Sequence, residues 1–196
     1  MPSTGKTRIT VAQPYGLRLL PLEAPMVRFL AIVGAIAIAV IIVGAIYLFG
    51  GYYSVAAAEP SLSIIDGVLA RIRIASIEHH AAGPSPVRLD DPAVVRDGAR
   101  AYAELGCVNC HGAPGVDWAK FSEGLRPDPP DLKDVAKGLG PAQIFWVIKS
   151  GINMTGMPSF GLIKTEDTKM WAIAAFVKKL PTVSPEDYRA WSASSQ

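Results

Sequence analysis

The chain has 196 residues, half of them hydrophobic, and a formal net charge of only +2. This length allows one small domain of about 100 to 150 residues together with additional segments. The small charge, with no stripe of Lys and Arg interleaved with aromatic residues, excludes a nucleic-acid-binding footprint. Because Cys107 and Cys110 are the only cysteines, no disulfide framework holds the domain together.

The N-terminal part of the chain predicts a membrane anchor at 29–53. Residues 29–49 contain no charge and are numerous enough for an apolar helix to cross a bilayer. Segment 1–28 carries an excess of basic residues, which predicts that it stays in the cytoplasm and that the rest of the chain lies in the periplasm of a bacterial inner membrane. Four basic residues face one acidic residue there: Lys6, Arg8, Arg18 and Arg28 against Glu23.

A cleaved signal peptide is the alternative interpretation of the apolar run. Small residues at 55–58, Val-Ala-Ala-Ala, are of the type that a signal peptidase accepts. The run is, however, well beyond the ~7 to 15 residues of a signal peptide's hydrophobic region. We therefore expect an uncleaved anchor.

Segment 54–90 is predicted to contain a juxtamembrane amphipathic helix and a Pro-rich linker. Apolar residues recur at helical spacing within 61–80, and the helix could lie on the bilayer surface, dock a partner subunit or pack on its own domain. Two prolines and a glycine within 81–90 indicate the linker, after which the globular domain is expected to begin.

Three main helices are predicted within the globular domain, 91–181. The first is capped by Asp91 and runs to Leu105, the second opens at Pro141, and the third opens at Thr165 and is stopped by Pro181. Residues 182–196 are left as a C-terminal tail. The Pro- and Gly-rich stretches between the helices are long for a compact domain, so we expect them to wrap around a large rigid cofactor.

The sequence Cys107-Val108-Asn109-Cys110-His111 has the form read as c-type haem attachment. Two thiols three positions apart can reach the two vinyl groups on one edge of a porphyrin, and the histidine that follows lies beneath the iron. A thioredoxin-like redox pair would need a βαβ pattern around the motif, and a zinc site would need more thiolates than the chain offers. One motif implies one covalent haem c.

A low-spin electron-transfer haem needs a sixth ligand, and methionine sulfur raises the potential in cytochromes c. Met154 and Met157 lie in a loop, 151–161, whose glycines and proline suit close approach of the backbone to a flat ring. Spacing alone does not choose between these two methionines.

Residues from about 91 to 181 resemble class I c-type cytochromes. Gly156-Met157-Pro158 followed by Phe160-Gly161 is similar to the axial-methionine loop of that family, so the resemblance implies Met157, and not Met154, as the sixth ligand. The first helix, the haem motif, the methionine loop and the C-terminal helix stand in the family's order. The resemblance implies an all-α, class I cytochrome c fold in which His111 and Met157 hold the haem iron.

Loop 124–132 resembles the proline-containing loop in which a backbone carbonyl accepts the free N–H of the proximal imidazole. The sequence does not say which proline carbonyl does this for His111. Tyr102 and Trp171 are interpreted as packing residues. Arg126 in that loop could reach a haem propionate but is interpreted as a surface residue, and for Trp146 a bond from its indole N–H to a propionate and a place in the core stay equally open.

With both axial positions filled, we expect electron transfer and no catalytic residues. The leading hypothesis is a carrier of one electron that links a quinol-oxidising complex or a dehydrogenase, as donor, to a terminal oxidase, as acceptor. The alternatives are a fixed cytochrome c subunit of a larger membrane oxidoreductase, and a small peroxidase or gas-binding protein, which would need Met157 to be absent or labile.

Overall fold

The structure, a computed structural model, describes residues 24–59, 63–81 and 83–193. The chain divides between Ser54 and Val55 into two compact units. The described residues form eight α-helices and two short 3-10 helices, with no strand among them. This confirms the all-α prediction. Most of segment 1–28 and the last residues of 182–196 lie outside the described residues.

The first unit contains one long helix, α1 (Ala24–Phe49). Its described side chains are apolar apart from Arg28, and 25 of its residues, Pro25–Phe49, make it long and apolar enough to cross a membrane. The predicted span 29–49 lies wholly within it. Near its C-terminal end, the ring of Tyr47 meets the ring of Tyr53, which follows the helix, edge to face with centroids 6.4 Å apart.

Two crossing helices form the core of the second unit, α3 (Pro92–Glu104) and α7 (Asp167–Lys179). The crossing is tight at Gly98, where an added Cβ would lie 2.0 Å from the carbonyl oxygen of Ala172. Every side chain from Met170 to Val177 is buried, because α7 is covered on all sides by its neighbours.

Local sequence signals explain where the predicted helices begin and end. The carboxylate of Asp91 accepts a hydrogen bond from the Ala93 N–H at 2.9 Å, and Pro92 occupies the first helical position of α3. The second predicted helix is α6 (Pro141–Ser150), which ends at Gly151 in a left-handed conformation, and the third is α7.

Three further elements lie between α3 and α6. They are the short helix α4 (Cys107–His111), a 3-10 helix (Lys120–Gly124) and α5 (Leu132–Gly138). The sequence predicts loops over most of the chain between α3 and α6. Helix α5 exists because the Asp131 carboxylate caps it through the Lys133 N–H at 2.8 Å and because Ala136 is buried against the core.

The segment left as a C-terminal tail contains a helix, α8 (Pro185–Ser192), which packs against α3. Its start carries a Ser cap, in which the Ser184 hydroxyl accepts from the Asp187 N–H at 3.0 Å, and a proline at its first position. The ring of Tyr188 stacks on Phe176 with centroids 5.8 Å apart, so this helix completes the core.

Helix α2 (Ser63–His80) and the linker that follows it belong to the second unit. Ile77 of α2 is buried, and Val87 and Leu89 of the linker pack against the core. We expected the globular domain to begin after residue 90. In the structure these apolar side chains extend it towards the N-terminus, because each gains from leaving water.

Candidate cofactor site

Both cysteines lie on α4, one turn apart, and both are half-buried free thiols. The helix is held to the core by Tyr102, whose buried hydroxyl donates a 2.7 Å hydrogen bond to the carbonyl of Gly112, just after His111. Burial raises the pKa of Tyr102 well above its usual value, so the phenol remains a neutral donor. The cysteines therefore stand on a fixed element.

The thiol of Cys107 is unsuited to thiolate chemistry, because burial raises its pKa to about 12. Redox pairs of the Cys-x-x-Cys type rely on a lowered pKa. Zinc binding is not favoured either, since no group of three or more His, Cys, Asp or Glu side chains in the described residues could hold a metal ion. Neither observation favours a redox pair or a zinc site at Cys107 and Cys110.

The ring of His111 is oriented by a backbone carbonyl. Its Nδ1 lies 3.0 Å from the carbonyl oxygen of Pro130, so Nδ1 carries the proton and Nε2 presents a lone pair. Burial lowers the pKa of the imidazole, and this effect outweighs the Pro130 bond, which raises the pKa. The lowered pKa keeps the ring in the neutral form that binds metal. Pro130 is thus the residue of loop 124–132 that the sequence left unspecified.

The structure separates the two candidate methionines. Met157 is half-buried, packs against the core and lines the same cavity as Cys107 and His111. Met154 has a left-handed backbone (φ 59°), and 76% of it is exposed. Only Met157 is positioned to reach a group bound beside His111.

Hydrogen bonds hold Met157 in this position. Its N–H donates to the Thr155 hydroxyl at 3.1 Å, that hydroxyl donates to the Ile152 carbonyl at 2.7 Å, and the Ile152 N–H donates to the Met157 carbonyl at 3.1 Å. The loop closes at Gly151 (φ 68°), where a Cβ would lie 2.7 Å from the backbone of Pro158 and Ser159. Thr155 carries no sequence signal of its own beyond the frequency of Ser and Thr in such turns.

A cavity of about 470 Å³ brings the predicted residues together. Its volume falls in the range of cofactor sites, and its walls are mostly apolar. Cys107, Cys110, His111 and Met157 all line it, with the thiols and the imidazole contributed by one short helix and the thioether by the loop after α6. This donor set and this shape fit haem c, a flat apolar ring with two vinyl groups and two axial iron positions.

The aromatic residues singled out in the sequence mainly pack. Trp171 stacks on Phe145 with centroids 4.2 Å apart and planes 6° apart. Trp146 is not among the residues that line the cavity, and it stacks on His80 of α2 with centroids 5.6 Å apart. Arg126 is exposed and pairs with Asp128.

Helix α2 also contributes to the site, which its sequence did not predict. Arg73, Ile74 and Ile77 of this helix line the cavity. They share one face of α2, and their helical spacing could be read from the sequence. The surface that this face covers could not be predicted, because it is formed by residues far along the chain.

Residues 93–177 match a protein-family model described as "Cytochrome C oxidase, cbb3-type, subunit III". The match contains nearly all of α3 and α7 and everything between them, and with them all four predicted haem-binding residues. Neither a curated protein nor a solved structure matches the chain.

Proposed function

We propose that the protein is a membrane-anchored carrier of single electrons. The basis is the cytochrome c-type domain that residues 93–177 form, which confirms the predicted resemblance over this part of the chain. In this proposal Cys107 and Cys110 attach one haem c covalently, and His111 and Met157 are its axial ligands. Helix α1 anchors the chain in a bacterial inner membrane, with the haem domain in the periplasm.

The observation that carries the proposal is the convergence of these four side chains on one apolar cavity. When bound, haem c supplies an iron that alternates between two oxidation states. With His111 and Met157 both holding its iron, no iron position would remain for a substrate, and electron transfer without bond formation would be the chemistry that the group supplies here.

Hydrogen bonds around the proposed ligands would restrain their positions during electron transfer. His111 is tied to Pro130, Met157 is tied to its own loop through Thr155, and α4 is tied to α3 through Tyr102. The apolar walls exclude water, which favours the less charged, reduced form and so a higher potential. These features suit an electron carrier that reacts repeatedly without rearrangement.

Partner docking is supported by the surface next to the cysteine-bearing helix. Val116 and the Trp118 indole are exposed, and they line a surface groove together with Cys110. We propose that redox proteins dock at this edge: a quinol-oxidising complex or a dehydrogenase as donor, and a terminal oxidase as acceptor. Exposed aromatic residues of this kind are enriched where proteins meet.

Haem staining of the full chain on a denaturing gel tests the proposal. The chain is produced in a bacterium that exports and matures c-type cytochromes. We expect stain to comigrate with the wild type and with Ser122→Ala, and to be absent from Cys107→Ser/Cys110→Ser. Stain that persists in the double variant, or wild type without stain, would contradict covalent attachment at this motif.

A second candidate function is a fixed cytochrome c subunit of an oxidase complex. The matched family is described as an oxidase subunit, and α2 leaves Ile64, Val68 and Ile72 exposed on the side away from the cavity. Purification of the full chain from its native membrane in mild detergent distinguishes the two functions. A stoichiometric complex supports the subunit, and a monomer that still reacts with a soluble oxidant supports the carrier.

A further inference from the structure

Helix α2 contributes one wall of the cavity although it lies outside the segment that matches the cytochrome family. Ile77 is 6% exposed and Arg73 is half-buried, one helical turn before it. Further along the same face, the His80 ring stacks on Trp146 of α6. These contacts fix α2 against the domain over its last two turns.

The charges on the cavity wall are few. Among the described residues that line it, Arg73 is the one Lys or Arg, and Asp128 is the one carboxylate. Asp128 is already paired with Arg126 on the surface. Arg73 takes part in none of the ion pairs formed by the described residues, which include Arg88–Asp91, Arg100–Asp97 and Lys149–Asp167.

Two other donors of the domain, on Lys178 and His111, are engaged elsewhere. Lys178 donates to the backbone carbonyls of Ala136 and Leu139, and the imidazole of His111 is bonded to Pro130. A haem c carries two propionates, and an anion in an apolar site needs a paired cation or a hydrogen-bond donor. A guanidinium suits this role because its fork of N–H groups matches a carboxylate.

We propose that α2 is part of the haem site and that Arg73 pairs with a haem propionate. This inference rests on the proposed function, since it requires haem c in the cavity. It makes Arg73 a positioning residue, which tunes the redox centre by charge and takes no part in axial ligation. The segment between the anchor and the cytochrome domain then helps to set the reduction potential.

The test compares Arg73→Gln with Arg71→Gln in the full chain. Arg71 lies two residues away on the same helix and is exposed, so both variants lose one positive charge from α2. A cation near the haem favours the reduced form. We expect Arg73→Gln to shift the redox equilibrium several-fold towards the oxidised form. Arg71→Gln should leave this equilibrium close to that of wild type, and Arg73→Lys should bring it most of the way back to the wild-type value.

The pH dependence of the potential provides a second readout, which a purely structural role would not move. Pairing with Arg73 keeps the propionate ionised to a lower pH. In Arg73→Gln the pH-dependent part of the potential should therefore move to higher pH. The inference is overturned if Arg73→Gln behaves as wild type, if Arg71→Gln shifts the potential equally, or if Arg73→Lys restores nothing.

Haem staining and the visible spectrum of each variant are recorded first. If wild type lacks haem, the proposed function fails. If all variants carry haem and their potentials do not separate as described, the inference about Arg73 fails and the proposed function is unaffected.

Discussion

The Nδ1 atom of His111 lies 3.0 Å from the carbonyl oxygen of Pro130, nineteen positions along the chain. This bond selects the tautomer and the orientation of the ring, so the ligand atom is fixed before any metal is bound. It also joins α4 to the start of α5, which places the haem motif and the opposite wall of the cavity in one network.

The bond can be tested through exchange of the Nδ1 proton of His111 with D2O, followed by NMR of the haem-loaded, reduced protein. Pro130→Ala keeps the carbonyl but frees the backbone that aims it, so we expect exchange to become about threefold to tenfold faster, for a loss of ~1 kcal/mol. Pro84→Ala, at an exposed position in the linker, serves as control. Equal rates in the two variants would show that the carbonyl of Pro130 does not hold the ring.

Removal of the Met157 thioether tests the axial ligand. Met157→Ala should keep haem covalently attached, lower the reduction potential and allow reduced protein to bind carbon monoxide, because the sixth position becomes open. Met154→Ala should do none of these, since Met154 is exposed and does not line the cavity. Ready binding of carbon monoxide by the wild type would instead favour the gas-binding or peroxidase alternative.

The Tyr102 hydroxyl should contribute to stability through its bond to Gly112. Tyr102→Phe leaves the buried Gly112 carbonyl without that donor, which should lower the free energy of unfolding by about 1 to 2 kcal/mol. Urea denaturation followed by circular dichroism measures the change. Tyr52→Phe, at an exposed tyrosine of the other unit, should have no effect, and a similarly small effect of Tyr102→Phe would contradict the prediction.

Gly98→Ala should destabilise the domain by about 3 kcal/mol, because the new methyl group would overlap the Ala172 carbonyl and push α3 away from α7. Gly138→Ala is the matched control, since a Cβ there meets no atom within 4 Å. Thermal melts of both variants provide the comparison. A melting temperature of Gly98→Ala close to that of the control would mean that the crossing can relax at little cost.

Much of the fold could be predicted because its signals are local. Asp91, Pro92 and Gly151 mark the ends of helices through interactions within one or two turns. Spacing did not distinguish Met154 from Met157, and only the resemblance implied Met157; in the structure Met157 packs against the core and Met154 is exposed. Ala174 and Ala175 of α7 are fully buried, and on α3 an added Cβ at Gly98 would lie 2.0 Å from the Ala172 carbonyl oxygen.

The remaining features depend on contacts between distant parts of the chain. That Pro130 and not a neighbouring proline faces His111 depends on the path of the whole loop. The sequence of α2 could not distinguish the bilayer surface, a partner subunit and its own domain, because an apolar helix face can pack on any of the three. The choice is determined by the shape of the cavity rim and by the ring of Trp146, which the helix alone does not specify.

In the proposed function, the burial of Ile77 shortens the distance that the haem domain can move from the membrane. With α2 and the linker packed on the domain, the chain between the anchor helix and the domain is the 13 residues that separate Phe49 from Ser63. Fully extended, at ~3.3 Å per residue, they span roughly 43 Å. In the proposed function, a donor and an acceptor that share this carrier would both have to present their redox centres within the reach of this segment.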